Sequence, residues 1–112
     1  MTIVIDRENL LLTDIGWEFE GIQFSDTNVS FIIIDAPPGS GPKLHSHPYE
    51  EIFIVQEGQV TFMVGDATID AAGQIVIAPT NVPHKFINSG TTPLRQVDIH
   101  ASPHFITTWL ED

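Results

Sequence analysis

Between Val29 and His100 the β-branched and aromatic residues arrive in runs of four to eight, each cut short by Gly, Pro, Asn or Asp. Runs of that length are too short for the helices of an α/β chain and match the strands of an all-β sandwich or barrel. Val29 to Asp35 reads as a buried strand, ended by a loop from Pro37 to Pro42. Three of the loop's six residues are Pro and offer no N–H to a ladder. Glu51 to Gln56 and Gln59 to Val64 flank Glu57-Gly58, a tight hairpin. Gly65-Asp66 turns into Ala67 to Asp70, and Ala71-Ala72-Gly73 turns into Gln74 to Ala78. Lys85 to Ile87 and Leu94 to His100, joined through Asn88-Ser89-Gly90, complete the expected set. The tail 102–112 is ambiguous. Its Ser-Pro start suits a helix cap and its Ile-Thr-Thr suits extended chain, with Phe105, Trp109 and Leu110 placed to dock on the barrel or on a second subunit.

The length of 112 residues fits one domain over 1–112, and 42% hydrophobic residues exclude disorder despite a formal charge of −11. Fifteen acidic against four basic residues exclude nucleic acid and anionic membrane as partners, since Arg7, Lys43, Lys85 and Arg95 are scattered and cannot displace counterions together. No window approaches the ~20 apolar residues of a membrane span. Met1 to Asp6 carries neither the basic nor the long apolar region of a secretory signal, so a cytoplasmic protein is expected, and the Asn28-Val29-Ser30 sequon reads as chance. There is no Cys, hence no disulfide, thiolate ligand or thiol nucleophile.

His45, His47, Glu51 and His84 carry the chemistry. On extended chain His45 and His47 leave the same face, roughly 7 Å apart at the backbone, which lets two imidazoles converge on one ion. Glu51 shares parity with the apolar Phe53 and Val55, and His84 follows a Pro-Asn turn from which a third imidazole can cross the barrel. Three nitrogens and a carboxylate suit one divalent transition metal ion: Fe, Mn, Ni, Co or Zn. Glu50 beside Glu51 points the other way and reads as a solvated charge rather than half of a shared-proton dyad. Gly39-Ser40-Gly41 lacks the lysine and the strand-to-helix context of a phosphate loop. Phe53, Met63 and Phe86 have the type and parity of either cavity wall or plain core. Lys43 reads as an ordinary surface residue with a lesser claim on the barrel mouth. In the last strand Val97 and Ile99 form the more core-like set, which leaves His100, in parity with Gln96 and Asp98, a secondary candidate for lining the cavity.

The spacing resembles the cupin family in both of its motifs. G(X)5HXH(X)3,4E(X)6G is met by Gly39, His45, His47, Glu51 and Gly58. G(X)5PXG(X)2H(X)3N is met by Gly73, Pro79, His84 and Asn88, with Asn81 in place of the middle Gly. Asn is the non-Gly residue that best tolerates a left-handed backbone, so the turn should survive the exchange. The motif core spans 39–88. The resemblance implies a double-stranded β-helix (jelly-roll β-barrel) with metal ligands at His45, His47, Glu51 and His84. It also implies a homodimer, for which Ile52 and Ile54, or Ile3-Val4-Ile5, offer apolar contact.

Two classes of function follow from it. One is an enzyme, first of all a dioxygenase-type oxidoreductase on a small organic molecule, with Glu51 free to act as general base; the same architecture also serves isomerases and decarboxylases. The other is a non-catalytic module that binds or senses a small molecule. A barrel with an empty polar centre is the least favoured reading, because four inward polar groups without a partner are costly.

Overall fold

The computed structural model describes residues 2–24 and 26–112; of the expected domain over 1–112, Met1 and Ser25 lie outside the described residues. Eleven strands are found among them: β1 (Leu11–Thr13), β2 (Gly16–Phe19), β3 (Ser30–Ala36), β4 (His45–Ser46), β5 (Glu51–Glu57), β6 (Val60–Val64), β7 (Ala67–Ala71), β8 (Ile75–Ala78), β9 (His84–Asn88), β10 (Leu94–His100) and β11 (Thr108–Trp109). Helix is confined to 3-10 turns at Arg7–Asn9 and Gly21–Gln23. Six strands form one sheet in the order β1-β2-β3-β10-β5-β8, and five form a second in the order β11-β4-β9-β6-β7. Each pairing is antiparallel.

The two sheets close on each other over Ile34, Phe53, Val55 and Leu94 from the first and Val60, Phe62 and Phe86 from the second. Phe53 and Phe62, 1% and 0% exposed, meet at 4.8 Å between ring centroids. Burying each such ring contributes about 2–3 kcal/mol. The polar end of the same space, beyond Phe53 and Phe86, holds the histidines.

Two expectations of parity are corrected. In β10 the inward residues are Leu94, Gln96, Asp98 and His100, while Val97 and Ile99 are half-buried on the outer face. Register decides this: β10 sits between β3 and β5, with Asp98 opposite Phe53 and His100 opposite Glu51, so the polar set inherits the inward side. In β6 the inward residues are Val60 and Phe62; Met63 pairs with Lys85 on the other face and does not line the cavity.

The outer face of the six-stranded sheet is largely apolar. Across its outer side one row runs Leu12, Trp17, Ile33, Val97, Ile54 and Ile75, and a second runs Phe19, Phe31, Ile99, Ile52 and Ile77. A sheet solvated on one side normally alternates apolar and polar residues. Here Ile75 and Ile77 remain 66% and 53% exposed.

Candidate metal centre

His45 stands on β4 directly opposite His84 on β9, and Glu51 opens β5. The segment between them is held in place by two backbone devices. Asn81 takes φ 65, the left-handed conformation expected of it, and its N–H donates to the His47 carbonyl at 2.8 Å. Gly41 packs flat on β9, where any Cβ would collide with the Phe86 carbonyl. The loop before His45 is thereby pressed against the strand that carries His84.

His45, His47, Glu51 and His84 are all buried, and one donor atom from each lies within 4.8 Å of the others. The tautomers follow from the far side of each ring. His45 Nδ1 meets the Lys43 carbonyl at 2.6 Å, His47 Nδ1 meets the Ile106 carbonyl at 2.8 Å, and His84 Nδ1 meets the Val82 carbonyl at 3.0 Å. A carbonyl only accepts, so each Nδ1 carries the hydrogen and each neutral ring turns an Nε2 lone pair inward. His47 Nε2 and His84 Nε2 both stand 3.1 Å from Glu51 Oε1, and His47 Nε2 has no aligned hydrogen bond. Lone pairs crowded against a carboxylate oxygen repel unless a cation lies between them. Protons or one metal ion can fill that role, and rings anchored through Nδ1–H to carbonyls are the usual support of metal-ligating histidine.

The electrostatics agree. Burial works to raise Glu51, but the imidazoles of His100, His47 and His84 around it outweigh that and hold the carboxyl well below its ordinary range. Burial lowers His45 to about 4. His84 is desolvated too, yet the Glu51 carboxylate beside it raises it. The neutral-ring, charged-carboxylate state is the one that binds a divalent ion.

A cavity of about 370 Å³ opens from the cluster. Of the expected wall residues Phe53, Phe86 and His100 line it. Lys43 and Glu50 are exposed, as expected. Four further residues complete the site: Tyr49, which sequence reasoning passed over, Asp98, noted only for its parity with His100, and Phe105 and Trp109, expected only to dock on the barrel or a second subunit. Burial pushes the Tyr49 phenol up to about 12, so the hydroxyl keeps its proton. It accepts from the Ile106 N–H at 3.2 Å and donates to His100 Nδ1 at 2.7 Å. His100 therefore carries its own hydrogen on Nε2, which faces Glu51 Oε2 at 3.2 Å at an angle too oblique to satisfy it. Asp98, 2% exposed, accepts from Gln96 Nε2 at 2.8 Å; burial, then the Glu51 charge, raises it well above the carboxylate range. The tail docks on the barrel as β11. Trp109 pairs with His45, and the two rings lie 5.1 Å apart.

Among the described residues no helix is long and apolar enough to cross a membrane. The fold is close to that of Lactobacillus farciminis oxalate decarboxylase in a formate complex (TM-score 0.78, 23% identity, 91% of this chain and 33% of that one). It is as close to the Bacillus subtilis oxalate decarboxylase, a protein with Mn(II) centers (TM-score 0.78, 21% identity, 90% of this chain and 29% of that one). The chain thus spans about a third of the length of these proteins. Comparison with curated proteins gave no match. Residues 32–100 match the cupin domain family, and with the two facing antiparallel sheets this places the chain in that family.

Proposed function

We propose that this cupin holds one divalent transition metal ion on His45, His47, Glu51 and His84 and acts through it on a small organic molecule. The carrying observation is the tautomer pattern: three rings tied back through Nδ1–H, two of them with Nε2 3.1 Å from one carboxylate oxygen, and all four donor atoms within 4.8 Å of one another. An ion held by these four residues would supply Lewis-acid polarisation and, if redox active, chemistry with O2. Around it the chain's own groups have separate tasks. Phe53, Phe86, Phe105 and Trp109 keep water from the open side. Released from the ion, Glu51 would be the group that takes a substrate proton, with His100 beside its second oxygen.

Oxidation of the dioxygenase type is the first reading. Decarboxylation is the second, supported by the fold likeness to oxalate decarboxylases. For the working assembly we propose a homodimer, two copies covering the outer face of the six-stranded sheet at Ile52, Ile54, Ile75 and Ile77.

The test is elemental analysis of protein purified without chelator or affinity metal. About one transition metal ion per chain is expected, with affinity weakened roughly 10–100-fold or more in His47→Ala. Equal occupancy in both proteins refutes the ligand set. Substrate-dependent O2 uptake by the Fe(II) form then separates oxidation from decarboxylation.

A further inference from the structure

Resting on that metal-binding reading, we infer that the cavity takes an uncharged molecule with an apolar, ring-sized body and a metal-binding oxygen, and disfavours small dicarboxylates. The first observation is the charge of the wall. Asp14, Glu18, Glu51 and Asp98 line it, and among the described residues no Lys or Arg does. Three of the four cations are engaged elsewhere. Arg7 lies over the Trp17 ring at 4.2 Å, Lys85 holds Glu111 at 3.0 Å, and Arg95 holds Glu57 at 3.2 Å. Lys43, the fourth, is exposed outside the lining. A divalent ion with Glu51 leaves one net positive charge, which a single deprotonated oxygen neutralises. The second charge of a dianion would then sit desolvated among carboxyls with no partner. Without an ion the repulsion is stronger still.

The second observation is what the wall offers in place of charge. Ile15, Ile32, Phe53, Phe86, Phe105 and Trp109 make most of it apolar. The volume of 370 Å³ equals roughly a dozen waters, well beyond what a six-atom dicarboxylate fills. One polar group facing in is a donor: His100, 3% exposed, has an Nε2–H with no aligned acceptor. A donor beside an apolar wall suits a carbonyl or hydroxyl oxygen, while an ammonium group would meet the positive ion.

The test uses wild-type protein loaded with Zn(II), its metal content measured before and after. Maltol, a neutral ring compound that binds metal as a monoanion, and oxalate are titrated by calorimetry, each referenced to its affinity for free Zn(II) in the same buffer. Relative to the free ion, the protein should shift the maltol-to-oxalate preference toward maltol at least about tenfold. An unchanged or reversed preference at full zinc occupancy overturns the inference while leaving the metal site standing. Failure to retain zinc overturns the metal site, and the inference with it.

Discussion

Replacing Tyr49 with Phe removes one oxygen and tests the hydrogen-bond chain that reaches Glu51 from the C-terminal segment. The ring keeps its stacking on His47, 4.9 Å away at 8°. What is lost is the donor to His100 Nδ1 and the acceptor for the Ile106 N–H. A buried polar group left unpaired costs ~1–3 kcal/mol. His100 is 3% exposed and cannot recruit water easily, so its loss is set at about 2 kcal/mol. The Ile106 amide is only part-buried and is set at about 1 kcal/mol. The expected cost is therefore ~3 kcal/mol. With an unfolding entropy of ~2.1 cal/mol/K per residue over 112 residues, this lowers Tm by roughly 13 °C. A second consequence separates this role from simple packing. Without Tyr49 the His100 ring is free to carry its hydrogen on Nδ1, and Glu51 loses the group that steadies Oε2. Metal affinity should fall about 10–100-fold, as for other outer partners of a ligand. Calorimetry gives the first quantity and competition with a chromogenic chelator the second. A Tm change below about 3 °C with unchanged metal affinity would show that the chain is not formed, or that water substitutes for the hydroxyl.

Three further outcomes follow from the same geometry. The Tm gap between metal-loaded and EDTA-treated protein should close as pH falls from about 6.5 toward 4, because His84, raised by Glu51, takes a proton first and His45, lowered to about 4, takes one last; a gap unchanged at pH 4 refutes this ligand set. Asp98→Asn should stabilise the metal-free protein increasingly as pH rises. A carboxyl whose folded pKa is raised binds more protons in the native state, so its penalty is absent below about 3.8 and grows above it; a Tm difference independent of pH between 4 and 8 counts against buried, protonated Asp98. Ile75→Lys with Ile77→Lys, both on the outer row and more than half exposed, should convert a dimer to monomer in light scattering with little change in the monomer's own fold. A dimer that survives both charges is built on another surface.

Much of this was legible beforehand because spacing along the chain fixes it. The ligand set is a matter of residues at fixed intervals with two turns between, and the turns announce themselves by Gly39, Gly58, Gly73 and Asn81. Seven expected strands appear within a residue or two at either end. The hairpin of β1 and β2 went unseen, since its strands are three and four residues long and owe their form to pairing with β3 rather than to their own pattern. The inward side of β10 was misjudged for a physical reason. Hydrophobicity identifies the buried face only when one face is wet, and here Val97 and Ile99 sit in apolar rows of their own. A better signal was available: Gln96, Asp98 and His100 alternate along a seven-residue strand, and three polar residues at that period among apolar neighbours mark a wall that meets a ligand.

That the tail would dock on the barrel was legible, but what Tyr49 and the tail's backbone do there was not, and the reason bears on how the site works. Ile106 is 59 residues from His47 and 57 from Tyr49, yet its carbonyl orients the one and its N–H the other. Nothing in Ile106 as a side chain, 49% exposed, records that its backbone does this. Trp109 completes the arrangement by pairing with His45 while itself 60% exposed, and Glu111 ties the Leu44 N–H to Lys85. A segment that is mostly exposed is thus the one that holds two histidines in register. Whatever ion occupies the cluster gains from a docked tail, and by reciprocity the tail gains the same free energy from the ion. Metal loading should therefore slow hydrogen exchange at the Ile106 and Leu110 amides more than at the core amides of β6, which lie in strands already closed without it. Equal protection gains in both places would mean that the tail is only a cover.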